Sequence, residues 1–330
     1  MSLATSVLAA AAHAAGFAPS IHNTQPWRWR VGETLDLYAD RARQLGVTDP
    51  NGRLLLLSCG AALHHAMVTL AAEGWRVEVS RLPDAAEQDL LARVALGGPT
   101  AVDSSAVQLL QSMAMRRTDR RPLTDTPVDH AVVARIARVV RSAGARLHVL
   151  DREHVVDLAA AAAQAQAAES LDPQFQAELA YWAGGARQEG TGVPADVIPA
   201  SPPQTTVPGR EFGGPGSLPI SAGHDSAAVY AILYGDEDTP ESWLRAGEAL
   251  SAGWLEATQL GVSVVPLSGA VEVVHTRHEL RRLLSNLGYP YLVLRLGHAD
   301  REHAAPPHTP RLPAEQVVEV IEPRSTQRPN

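Results

Sequence analysis

Lysine is missing altogether: all 28 basic residues are arginine. That absence removes Schiff-base chemistry, a lysine general base and the lysine of a Walker A phosphate loop. Cysteine is nearly as scarce. Cys59 stands alone, so neither a disulfide framework nor a cysteine-rich zinc site can form within one chain; its setting, LLLLSCGAALHHAMVTLAA, reads as a buried structural thiol. Positive charge is in deficit too. A net charge of -8 and a pI near 5.9 argue against a nucleic-acid-binding surface. An apolar run able to span a membrane is lacking, because Ser58, His64 and His65 interrupt residues 54–72, which read as a buried helix. There is no GxGxxG and no GxSxG, so a dinucleotide-binding Rossmann site and a hydrolase nucleophile lose their usual support. No metal site is expected: His64 and His65 point to different helix faces, and His275 and His278 read as a surface pair.

The apolar content that is present, 45%, is enough for one large or two smaller cores. The first twenty residues, MSLATSVLAAAAHAAGFAPS, have the small residues of a signal peptide but not its positive start, since the first arginine is Arg28. An amphipathic helix over 2–16 of a cytoplasmic protein is the expectation. WRWRVGETLDLYA, residues 27–39, alternates as a hairpin turning at Gly32 and Glu33. A helix over 53–72 and a strand over 75–82 follow, then GGPTAV as a linker. A second half starts near Asp103, whose DSS run supplies helix-capping side chains. Its strands are expected at 147–150, 227–235, 262–267 and 291–297, and its helices at 130–142, 153–169, 173–188, 241–260 and 277–287. Residues 191–221 are too rich in Pro and Gly for a regular element, yet contain Val193, Ile198, Val207, Phe212, Leu218 and Ile220. A packed cover fits that composition better than a solvated linker.

Four segments concentrate chemistry: PSIHNTQPW (19–27), RRTDRRPLTDTPV (116–128), LSGA (267–270) and TPRLP (309–313). Each alone has a bland reading, as core anchor, solvated charged face, turn or surface arginine. Their combination resembles the nitroreductase family of FMN-dependent oxidoreductases, and among them the Acg group. The resemblance implies an α+β nitroreductase-like fold. In that family two subunits share each flavin. Here PSIHNTQPW lies in the first half, while RRTDR, LSGA and RLP lie in the second. The resemblance therefore implies two related subdomains in one chain, 1–102 and 103–330, forming an intramolecular pseudo-dimer and a monomeric particle, with 191–221 as a lid-like insertion.

By the same resemblance, Arg116 and Arg311 would bind the FMN phosphate, suited to it as planar, permanently charged forks, and Thr118 would add a hydroxyl. Arg120 would sit near the pyrimidine edge of the ring. Pro19, Ser20, Ile21 and Asn23 would meet the ring and ribityl chain. Gly269 would present its N–H to flavin N5, beside Ser268, where many family members have Glu. The implied activity is NAD(P)H-dependent reduction of nitro compounds or quinones by a ping-pong hydride shuttle. An FMN-storing protein with little turnover and a plain two-domain α/β protein are the competing readings.

Overall fold

The computed structural model describes residues 2–184, 187–214, 216–220, 223–300 and 304–321. In chain order the regular elements are α1 (Leu3–Ala15), β1 (Trp27–Val31), β2 (Leu35–Ala39), α2 (Arg53–Ala72), β3 (Trp75–Arg81), β4 (Leu90–Pro99), α3 (Ser104–Met115), α4 (His130–Ser142), β5 (Arg146–Val149), α5 (Arg152–Leu171) and α6 (Pro173–Ala183). They continue with β6 (Val229–Gly235), α7 (Pro240–Gln259), β7 (Ser263–Leu267), α8 (Gly269–Glu272), α9 (Val274–Leu283), β8 (Tyr289–Gly297), α10 (Ala314–Val317) and β9 (Val318–Val320). Local chemistry sets the helix starts. The Asp103, Asp129, Asp151 and Asp172 carboxylates each accept a backbone N–H in the first turn, and Thr239 and Ser242 form a reciprocal box ahead of α7.

Two sheets form, ordered β3-β4-β2-β1-β9 and β5-β6-β8-β7. Read from the opposite edge, the second is β7-β8-β6-β5, the order of the first sheet without β9. The matching pairs are antiparallel in both sheets. In each half a helix precedes the first strand, α1 or α4, and a twenty-residue helix separates the second strand from the third, α2 or α7. These long helices cross at two glycines. A Cβ on Gly60 would lie 1.9 Å from the Leu244 carbonyl oxygen, and one on Gly247 would lie 1.9 Å from that of Leu57. The absence of side chains there lets the backbones touch.

The halves differ in their connections. Residues 16–26 lead from α1 into β1, whereas 143–145 suffice between α4 and β5. Conversely, β1 and β2 are joined by 32–34, while residues 150–228, with α5, α6 and the Pro/Gly segment, separate β5 from β6. α2 is the one helix among the described residues long and apolar enough to cross a membrane, but 83% of its most apolar stretch is buried inside the protein.

Several expectations need correction. GGPTAV is no linker: β4 runs on through Gly97 and Gly98 to Pro99, paired with β3. The glycines suit that place, since a Cβ on Gly97 would come within 3.2 Å of Arg76. The expected halves, 1–102 and 103–330, exchange one strand. β9 crosses back to lie parallel to β1, pairing Trp29 with Val318, because the chain after β8 wraps the first half. The helix expected over 173–188 ends at Ala183, and that over 277–287 lies at Val274–Leu283. In the 191–221 segment, Pro215 and Ser221 fall outside the described residues; the rest holds one short 3-10 turn, Ala195–Val197, and a bridge between Pro199 and Leu218.

Candidate functional site

The loop over residues 16–26 holds three of the non-glycine residues at positive φ among the described residues. His22, Asn23 and Gln25 have φ of 44°, 53° and 49°, a left-handed backbone that costs a side-chain-bearing residue about 1–3 kcal/mol. Hydrogen bonds hold it there. Ser20 Oγ accepts from the Gln25 N–H at 2.9 Å, and Ser58 Oγ on α2 accepts from the Ile21 N–H at 3.1 Å. The Asn23 amide donates to the carbonyls of Gly192 (3.1 Å) and Pro310 (2.9 Å). Gln25 donates to Gly190 O (2.7 Å) and accepts from Leu312 N–H (3.0 Å). The loop therefore ties both the start of the Pro/Gly segment and the C-terminal stretch to the first half, while Trp27 anchors its end in the core at 0% exposure.

Below this loop is a cavity of about 540 Å³, within the roughly 300–1,000 Å³ of small-molecule and cofactor sites. All ten residues singled out from the sequence line it: Pro19, Ser20, Ile21 and Asn23; Arg116, Thr118 and Arg120; Ser268, Gly269 and Arg311. Both halves thus contribute to one site. Asn23 does so with its amide hydrogens already committed, so it shapes the wall more than it can donate to an occupant. The run RRTDRR divides its work. Arg121 turns away to pair with Asp119 at 2.7 Å, both buried, and the carbonyl oxygens of these two accept from Arg295, which itself pairs with Asp225 at 2.6 Å. Arg116 and Arg120 are left facing the cavity.

At one end of the cavity positive charge accumulates. Arg116 is 5% exposed, lies over the Trp254 ring at 4.6 Å and reaches the Phe17 carbonyl at 3.5 Å. Arg311 donates to Thr309 Oγ1 at 2.6 Å, Asn23 Oδ1 at 3.1 Å and the Phe17 carbonyl at 3.3 Å. Among the described residues no carboxylate lies within ion-pair distance of either, and the Nε of each is buried without a hydrogen-bond partner. Burial, reinforced by Arg311 and Arg117, lowers Arg116 to about 9; burial lowers Arg311 to about 10. His308 is lowered as well, first by burial, then by Arg117, Arg116 and Arg311. A buried and a half-buried guanidinium group, with no carboxylate paired to either among the described residues and two unmatched Nε–H donors, fit an anionic ligand group such as a phosphate.

The opposite wall is the Pro/Gly segment. Val193, Val197 and Ile198 cluster with Phe212. Val207 enters the main core, and Phe212 meets His22 edge-on at 5.9 Å and lies under Arg120 at 5.2 Å. His22 is held well below its ordinary range by burial and by Arg210 and Arg120, so it is neutral at pH 7. Arg210 pairs with Glu169 at 3.3 Å and with Glu272. Glu169 is pushed up to about 7, chiefly by burial, with Arg210 opposing and Glu272 adding to the rise. Sequence reasoning missed His22, Glu169, Arg210 and Glu272 as site residues. His22 lay inside a quoted motif; the other three lie 41 and 62 residues apart with no local pattern to mark them.

Comparison with known proteins gives the family. The nitroreductase family model matches residues 113–298. A Mycobacterium tuberculosis protein provisionally named NAD(P)H nitroreductase Rv3131 is 40% identical over 319 residues, covering 94% of this chain and 90% of its own. A second from that organism, provisionally named NAD(P)H nitroreductase acg, is 32% identical over 326 residues, covering 96% of each. Among solved structures, the FMN and NADPH-dependent nitroreductase NfnB from sphigopyxis sp. strain HMH aligns with 64% of this chain and 97% of its own at 19% identity and a TM-score of 0.41. With a matching model over more than half its length and relatives at this identity along nearly all of it, the chain belongs to the nitroreductase family.

Proposed function

We propose that this protein is an FMN-binding oxidoreductase that uses NAD(P)H to reduce nitro compounds or quinones, with one flavin per chain held between its two halves. The observation behind this is the pair of guanidinium groups, Arg116 and Arg311, each with a buried Nε left without a partner among the described residues, at one end of a cavity lined from both halves. Bound FMN would supply hydride transfer through its isoalloxazine ring. The chain's own residues would do the rest. Arg116 and Arg311 would hold the phosphate, with Thr118 beside them. Arg120 would set a fixed positive charge near the ring. Gly269, which opens α8, would let the backbone approach closely. Pro19, Ser20 and Ile21 would form the facing wall, and the 191–220 segment would exclude water. The shared strand order of the two sheets, and the paired α2 and α7, support reading 1–102 and 103–330 as a fused dimer and hence as a monomeric particle.

A second reading, storage of FMN with little turnover, is favoured by one observation: residues 198–203 and 207–214 of the covering segment line the cavity. One experiment separates the two. The purified protein is examined by visible absorption and mixed with NADPH or NADH without oxygen. Bleaching of a yellow protein within seconds supports the reductase; a yellow protein that stays oxidised supports storage; a colourless protein that takes up no FMN contradicts both.

A further inference from the structure

Arg210, on the segment covering the cavity, meets two carboxylates, Glu169 near the end of α5 and Glu272 at the end of α8. Their side chains are 9%, 9% and 2% exposed. Two negative charges against one positive charge leave a surplus that a buried wall does not tolerate. Glu272 Oε1 is moreover buried with no hydrogen-bond partner among the described residues. A single proton held between the two carboxyl groups removes the surplus charge and gives that oxygen its partner. Arg53 and Arg277 share a small pocket with Glu272, but Arg277 pairs with Asp238 at 2.7 Å and Arg53 faces Asp238 and Asp49. His22 is neutral, α6 contributes the Gln176 amide, which donates to the Glu169 carbonyl at 3.1 Å, and Glu279 on α9 is engaged with His275 and Arg282.

The place matters as much as the charge. Glu169 Oε1 and Arg210 Nη2 each lie 3.6 Å from where a side chain on Gly269 would begin, and Glu169 and Arg210 both line the cavity. Position 268 is serine, so the glycine turn brings no carboxyl of its own. We propose that Glu169 and Glu272 share one proton against Arg210, and that Glu169 delivers it to the acceptor reduced in this cavity. The inference rests on the flavin reading above. With a quinone as acceptor, bound FMN in its reduced form would supply hydride, that is two electrons and one proton. The Glu169 O–H bond breaks as an O–H bond forms on the acceptor, giving the hydroquinone. The carboxylate left behind pairs with Arg210 and regains its proton from solvent.

Two measurements on the full chain test this. Infrared difference spectra of the flavin-free protein across pH 5 to 9 read protonated carboxyl groups directly. A protonated carboxyl band at pH 7 that disappears in Glu169→Gln and persists in Glu169→Asp is expected. In stopped-flow oxidation of the pre-reduced protein by a quinone, the parent rate falls as pH rises through about 7. Glu169→Gln is slowed about a hundredfold or more, the usual scale of general acid catalysis, and loses that pH slope, while reduction by dithionite is unchanged. A protein that binds and cycles flavin but shows no such band, or whose Glu169→Gln keeps the parent rate and slope, overturns the proposal alone. A protein that shows the band but takes up no flavin refutes the flavin reading and the transfer step with it.

Discussion

At the anion end of the cavity, Arg116 and Arg311 each bring a positive charge to a place where burial opposes it, and among the described residues no carboxylate pairs with either. An FMN phosphate would. Arg116→Ala is therefore expected to weaken FMN binding by about 1.5–3 kcal/mol, the range for a hydrogen bond to a charged group, or roughly ten- to over a hundredfold. Riboflavin, which lacks the phosphate, should bind the variant and the parent alike in a fluorescence titration; equal losses for both would make Arg116 structural. A second residue gives a pH test. His64, whose Nδ1 is 2.9 Å from Ser251 Oγ, is lowered by burial from 6.5 to about 4. The unfolded chain takes up a proton there near 6.5 while the folded chain does not, so its contribution to stability is complete above pH 6.5 and lost as pH falls toward 4. Denaturant midpoints at pH 7.5 and 5 should converge between parent and His64→Gln at the lower value. An unchanged gap excludes His64 as a source of acid sensitivity. Arg116 and Arg311 were legible in the sequence because they sit in short motifs. Glu169, Arg210 and Glu272 were not, because three charges from separate elements become a site only when α5, α8 and the covering segment meet.

The crossing of α2 and α7 is made by two glycines whose missing side chains leave backbone against backbone. Gly60→Ala or Gly247→Ala would place a Cβ within 1.9 Å of a carbonyl oxygen, a clash that must separate the helices. Each is expected to cost about 3 kcal/mol or more, at or beyond the upper end for overpacking, read from chemical denaturation. Gly32→Ala, with open space around it, is the control and should cost less than about 1 kcal/mol. Similar midpoints for all three would contradict the close crossing. The covering segment makes its own prediction. Replacing residues 195–218 with a short Gly-Ser connector removes Phe212, Arg210 and the Val207 anchor together. Dithionite and NADPH reduction and FMN release should all quicken; unchanged rates in a folded, FMN-binding variant would remove the lid function. The long helices and alternating strands were readable from period and capping residues. β4 was obscured by its own Gly97, Gly98 and Pro99, which read locally as a linker, and β9 is three residues stabilised by β1, a partner almost three hundred positions away. Its existence depends on tertiary pairing, which no local pattern encodes.

At the scale of the molecule, the two halves repeat one strand order and one pair of central helices, but not one set of connections. The first half keeps the long strained loop between helix and first strand, which the second has shortened to residues 143–145. The second half keeps Arg116, Arg120 and the glycine turn, and the wrapped C-terminal stretch brings Arg311 back against Asn23. Each half holds what the other lacks, so the parts suffice for one site. The most direct measurement is the flavin stoichiometry of the flavin-free chain, titrated with FMN and examined by sedimentation at the same concentrations. One FMN per 35.1 kDa monomer, bound without a change in sedimentation, is the expected result; two FMN per chain, or binding that appears only as two chains associate, would contradict it.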